Sequence, residues 1–249
     1  MTYEFILLVR SNRMANTVER FLTEFNKLHD AMQDKLGKND DFYSLLKIME
    51  KDLVISRFKD QLHIIRQLRN LLVHEKKTMD YDLATPSEEV IEQLIFVREQ
   101  LIQPVTAGDH FSRKVFSFNI DDSLERLLYF LDQKHLYQFP IFDEEGLAGV
   151  ISHNGITNWL AHNYSQEHLD FSEVKIRDIV ADEESYYHYE VIKSNTSLFD
   201  VEAMFSSNLL VGRSQYLILI SDQEDIKKWT DLKGIITPWD LPEVLTLIR

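Results

Sequence analysis

A repeat in the second half of the chain narrows the choice of fold more than any single motif. "DDSLERLLYFL" (121–131) aligns with "NTSLFDVEAMF" (195–205) at an offset of 74, and "GVISHNGITNWL" (149–160) aligns with "GIITPWDLPEVL" (234–245) at an offset of 85. The 11-residue difference is absorbed by longer loops in the second copy, around "VGRSQ" and "DQEDIKKWTDLK". Each copy ends on the same device: a Gly-apolar-apolar strand runs into Ser or Thr and then turns into a helix. Short β-rich runs ("KVFSFNI", "QFPIF", "LAGVIS", "YEVIK", "YLILIS", "KGIIT") alternate with helical stretches ("SLERLLYFLDQ", "ITNWLAHNY", "SLFDVEAMFSS", "LPEVLTLI"). The order strand–helix–strand–strand–helix therefore occurs twice. Such self-similarity marks supersecondary units that bury their apolar faces against one another.

The first hundred residues follow a different period. "NTVERFLTEFNKLHDAMQDKL" places Val18, Phe21, Leu22, Phe25, Leu28, Met32 and Leu36 at steps of three and four, and Gly37 follows as a helix stop. "FYSLLKIMEK" predicts a second, shorter helix. "ISRFKDQLHIIRQLRNLLVHEKK" predicts a third, with the stripe Phe58, Leu62, Ile65, Leu68, Leu72. A fourth, "TPSEEVIEQLIFVREQL", is expected to start with Thr85 as N-cap, Pro86 in the first turn and Glu88 completing a capping box. Pro104 and Gly108 mark its end. The expected organisation is α+β: an all-α bundle over 1–103, then two βαββα repeats over 104–170 and 171–249.

Composition excludes several chemistries. The chain of 249 residues, 44% apolar and 27% charged, is globular in type and long enough for several small cores. It has no cysteine, so disulfides, thiolate metal sites and cysteine nucleophiles are ruled out. The nine histidines are scattered without metal-ligand spacing, so no metal site is expected. "FILLV" is too short for a signal peptide or a membrane span, which makes the cytoplasm the expected location. The net charge of −14 is uneven. Residues 1–103 hold 15 Lys and Arg against 17 Asp and Glu, whereas 104–249 hold 12 against 24. That acidity argues against nucleic acid wrapping the second half.

The marks "SLERLLYFLDQKHLYQFPIFDEEGLAGVIS" and "SLFDVEAMF…YLILIS…GIITPWDL" resemble a tandem pair of cystathionine-β-synthase (CBS) domains, a Bateman module, over about residues 105–249. The resemblance implies clefts between two packed repeats that take adenosine-containing ligands such as AMP, ADP, ATP or S-adenosylmethionine, and assembly as a homodimer. It also implies a Ser/Thr-x-x-Asp pair, hydroxyl to phosphate and carboxylate to ribose. Thr237 and Asp240 keep that pair whole; in the first copy Ser152 is followed by Gly155 where the acid belongs. One competent cleft is therefore expected, at Thr237 and Asp240, with adenine against the edge carrying Ile192, Tyr216 and Ile218. The same Thr and Asp also serve as helix cap and first-turn acid with no ligand at all.

The third helix carries the other candidate site. Lys59, His63, Arg66, Asn70, His74 and Lys77 share one polar face, and Arg57 to Lys77 holds six Lys or Arg against Asp60 and Glu75. Arg69, Asn70 and His74 form Arg-Asn-x-x-x-His, a pattern similar to the signature of HEPN domains. That resemblance implies a metal-independent endoribonuclease in which His74 moves a proton, Arg69 stabilises phosphorane charge and Asn70 orients one of them. RNA would then be a partner of the bundle. Without that chemistry, the bundle is a structural or dimerising element and the whole chain a ligand-free scaffold. The first expectation is a regulatory protein: an adenine nucleotide binds the CBS pair and alters the helical domain or a partner.

Overall fold

The computed structural model describes residues 2–74, 84–134, 136–165, 170–181, 188–213 and 216–249, with side chains throughout except at 2–15, 74 and 181. The chain divides into two compact units, Met1–Pro104 and Val105–Arg249.

The first unit is helical. α1 (Thr2–Leu36) begins before the periodic stretch and carries "FILLV" in its first turns. It ends at Gly37, whose φ of +61° is the left-handed conformation that a helix stop requires. α2 (Phe42–Ile48) starts at Asp41, whose carboxylate accepts from the backbone N–H groups of Tyr43 and Ser44. α3 (Leu53–His74) is started in the same way by Asp52, which accepts from Val54 and Ile55 N–H at 3.0 and 3.1 Å. α4 (Glu88–Ile102) follows, and here the expectation fails: the N-cap is Ser87, not Thr85, and Ser87 makes no side-chain cap bond. Starting there puts Glu88 and Glu89 in the first turn, where carboxylates favour the positive end of the helix dipole.

Val18, Phe21, Phe25, Leu28 and Met32 of α1 are buried against Ile91, Leu94, Val97 and Leu101 of α4, with Phe58, Leu62 and Ile65 of α3 closing the core. Leu68 is only half-buried. The Arg98 guanidinium meets the Glu24 carboxylate at 2.5 Å and ties α4 to α1.

The second unit opens with α5 (Ala107–Phe111), a one-turn helix that no periodicity announces because it is held by a Thr106–Asp109 capping box. Then come β1 (Phe118–Asn119), α6 (Leu124–Lys134), β2 (Gln138–Phe142), β3 (Leu147–Ser152), α7 (His153–Asn163) and α8 (Ile176–Ala181). They are followed by β4 (His188–Ile192), α9 (Leu198–Leu210), β5 (Tyr216–Ile220), β6 (Gly234–Ile236) and α10 (Leu241–Leu247). In the first sheet β1 runs parallel to β2 and β2 antiparallel to β3; β4, β5 and β6 repeat that pairing. Only two residues of "KVFSFNI" form strand.

Side-chain alternation along these strands separates two cores. Phe139 and Ile141 of β2 and Ile151 of β3 join Leu124 and Leu127 of α6 and Trp159 of α7. The neighbouring positions Phe142 and Val150 instead meet Leu217 and Leu219 of β5. The two sheets thus share an apolar interface, and a cleft opens at its margin.

Candidate functional site

At the end of β6 the chain turns through a short 3₁₀ segment, Pro238–Asp240, into α10. Asp240 Oδ2 accepts from Thr237 N–H at 2.7 Å and from the Thr237 hydroxyl at 2.8 Å. The first repeat has no carboxylate at the matching position; there the Ser152 hydroxyl instead accepts from Gly155 N–H at 3.2 Å.

Thr237 and Asp240 line a cleft of about 630 Å³, within the roughly 300–1,000 Å³ typical of small-molecule sites. The opposite wall comes from the first repeat: Arg113 to Phe116 before β1, Leu136 and Tyr137 before β2, and His153 at the start of α7. Arg113 reaches across. Its Nη2 donates to the Ile235 carbonyl at 2.7 Å and lies 3.0 Å from both carboxylate oxygens of Asp240. The Tyr137 and His153 rings meet edge-on at 5.3 Å between centroids. Trp239 is 83% exposed, a large apolar ring left in solvent beside the cleft.

The remaining residues expected at the ligand lie elsewhere. Ile218 of β5 is fully buried, and Tyr216 packs its ring against Phe205 of α9 at 5.1 Å. Ile192, at the end of β4, is also buried. Ser152 is buried as the cap of α7. None of these four is among the residues lining the cleft of Thr237. Arg113, Phe116, Tyr137 and His153 were not singled out from sequence. The signal was slight: Lys114 and Phe116 sit in a run read as plain strand, and only the pairing of two sheets brings them opposite Thr237.

Residues 107–162 match the family model described as CBS domain. The chain carries a CBS domain. That domain is the first repeat, from α5 to the last turn of α7, and it supplies one wall of the cleft. No curated protein matches the sequence. Among solved structures, the chain is similar to a CBS domain-containing protein of unknown function from Kribbella flavida, at 14% identity over 56% of this chain and 97% of that one, with a TM-score of 0.42. It is similar to the CBS domain of a CBS domain-containing membrane protein from Sphaerobacter thermophilus, at 15% identity over 64% of this chain and 98% of that one, TM-score 0.45. It is also similar to the CBS domain pair of protein MJ0100, solved with 5′-methylthioadenosine and S-adenosyl-L-methionine, at 17% identity over 59% of this chain and 99% of that one, TM-score 0.42. Among the described residues no helix is long and apolar enough to cross a membrane.

On α3, the Arg69 guanidinium donates to the Asn70 amide oxygen at 3.3 Å. The His74 side chain lies outside the described residues, as does Lys77. Lys59 pairs with Glu50, which takes one of the basic groups off the polar face.

Proposed function

We propose that this chain is a regulatory protein whose second unit binds an adenine nucleotide or related adenosyl ligand in the cleft of Thr237 and Asp240. One observation carries the reading: a hydroxyl and a carboxylate, fixed to each other, open into a cleft of ligand size whose far wall offers aromatic rings. In this reading Asp240 accepts from ribose hydroxyls. Phe116, Tyr137 and Trp239 give flat apolar surface on which a purine stacks. Arg113 and Lys114 supply cationic donors for a phosphate. The CBS resemblance, which implies adenosine-containing ligands, points the same way.

In this reading the ligand acts by population shift. It favours whichever arrangement of the helical unit, of a second copy in a homodimer, or of a partner leaves the cleft best formed. The size of the response is limited by the differential affinity of the ligand for the two arrangements. Calorimetric titration of the full chain with AMP, ADP, ATP and S-adenosylmethionine tests it, beside Asp240→Ala and Thr237→Val. Binding of at least one ligand, weakened in both variants, supports the reading. Silence with all four defeats it.

A second reading rests on the contact between Arg69 and Asn70: the bundle is a metal-independent endoribonuclease acting through Arg69 and His74. Incubation with single-stranded and structured RNA in the presence of a chelator decides it. Cleavage has to vanish in Arg69→Ala and His74→Ala.

A further inference from the structure

A second cavity, of about 230 Å³, lies within the helical unit between α1, α2 and α3. Arg66 and Arg69, three residues apart on α3, both line it. Each guanidinium lies against an aromatic ring. Arg66 sits 4.8 Å from the Tyr43 ring centre and Arg69 sits 5.8 Å from that of Phe25. Stacking of this kind orients a guanidinium without neutralising it.

The hydrogen bonding of Arg66 is incomplete. Among the described residues neither arginine forms an ion pair, and Arg69 donates only to the neutral Asn70 amide among them. Arg66 Nε is buried with no acceptor. A charged N–H left this way is costly, and native structures rarely keep one without a reason.

Asp41 also lines the cavity, yet it does not supply the missing acceptor. Its carboxylate is taken by Tyr43 N–H at 3.0 Å, by Ser44 N–H at 3.3 Å and by the Ser44 hydroxyl at 2.6 Å. The bond from Ser44 holds its pKa below the usual value, and the charge of Arg66 adds to that effect. Two fixed positive charges therefore face one carboxylate that is already in use. The amides of Asn26 and Asn70 add neutral donors.

We propose that this cavity binds a phosphate group, free or carried as a monoester. The volume falls below the roughly 300–1,000 Å³ of sites for drug-sized ligands, so it takes the anionic head and not a whole nucleotide. Two forked guanidinium groups match tetrahedral oxyanion geometry, and the phosphate oxygens satisfy Arg66 Nε. The site is independent of the cleft at Thr237; it shares Arg69 with the endoribonuclease reading but does not involve His74.

The test uses the full-length chain labelled with ¹⁵N, following the Nε–Hε signals of Arg66 and Arg69. Inorganic phosphate and phenyl phosphate are titrated separately against chloride at constant ionic strength. Both arginine signals are expected to move with phosphate and not with chloride. Asn26→Asp, an exposed substitution that adds negative charge at the cavity without touching either arginine, is expected to weaken binding at least about tenfold, as is Arg69→Gln. Tighter binding of inorganic phosphate identifies the free anion as the occupant, and tighter binding of phenyl phosphate identifies a monoester. Signals that stay fixed with both probes overturn the proposal, as does an affinity that Asn26→Asp leaves unchanged. Because the readout sits on α3, failure here is separate from failure of nucleotide binding at Thr237.

Discussion

Arg113 Nη2 stands 3.0 Å from each carboxylate oxygen of Asp240, while the same carboxylate accepts from the backbone and hydroxyl of Thr237. The acid proposed to hold a ribose is thus already engaged on two sides. A ribose must share Asp240 with Arg113 or displace it, and a displaced Arg113 is free to meet a phosphate. Replacing Arg113 by Met is expected to weaken AMP relative to adenosine by about ten- to a hundredfold, the worth of one hydrogen bond to a charged group. Parallel titrations of the two ligands measure the ratio, and an unchanged ratio removes Arg113 from phosphate binding.

Asp240→Ala also bears on stability. It removes the capping box at Thr237 and is expected to cost about 1–2 kcal/mol in urea denaturation. The Arg113 pair adds little to that figure, since the Arg113 side chain is 46% exposed and solvent screens it.

Gly234 faces the opposite constraint, one of space. A Cβ there would lie 2.2 Å from the Phe111 carbonyl oxygen, a backbone atom that cannot swing aside. Gly234→Ala is expected to destabilise the protein by about 3 kcal/mol, at the top of the usual overpacking range. Gly37→Ala meets nothing within 4 Å and suffers only its positive φ, so about 1 kcal/mol is expected. Equal costs for the two in thermal or urea unfolding would contradict this ordering.

Acid sensitivity should be traceable to Asp222. The Lys233 ammonium bonds its carboxylate and the Ser194 N–H donates to it at 2.8 Å, and together they depress its pKa from 3.8 to about 2. The folded value is the lower one, so this stabilisation is present above pH 3.8 and is lost as pH falls toward 2. Both side chains are well exposed, so salt weakens the effect. A ¹³C titration of the carboxyl carbon should give the low midpoint, and Lys233→Gln should raise it. A midpoint indifferent to Lys233 would exclude this cause.

Tyr216 separates a ligand role from a packing role. Burial pushes its hydroxyl pKa up, the Glu190 carboxylate adds to the shift, and the hydroxyl oxygen is buried without a partner among the described residues. Tyr216→Phe is expected to leave stability unchanged or raise it by up to about 1 kcal/mol, because no bond is lost and a desolvated hydroxyl is removed. AMP affinity is expected to stay the same. Weaker AMP binding in this variant would return β5 to the ligand site.

Much of the architecture was written in local pattern. The three- and four-residue spacing of Phe21, Phe25, Leu28 and Met32 states which side of α1 is buried, because a helix repeats every 3.6 residues whatever packs against it. The Thr237-x-x-Asp240 spacing likewise fixes its own capping box, a contact within one turn of chain. The strand and helix order of the two repeats was readable as well; their CBS character came from resemblance to a known family.

Tertiary structure decided everything that depends on distant partners. Nothing near Arg113 in sequence predicts that it crosses to Asp240, because 127 residues separate them and only the packing of two sheets brings them together. The CBS resemblance makes Tyr216 and Ile218 candidates for a ligand edge; they are buried because α9 covers their face of β5 and the first sheet covers the other. Arg66 reads as one member of a polar face and Arg69 as part of Arg-Asn-x-x-x-His; only the packing of α1 and α2 against α3 brings both to one cavity. Periodicity states which side of an element is apolar, but which other element arrives to cover it is a property of the assembled chain.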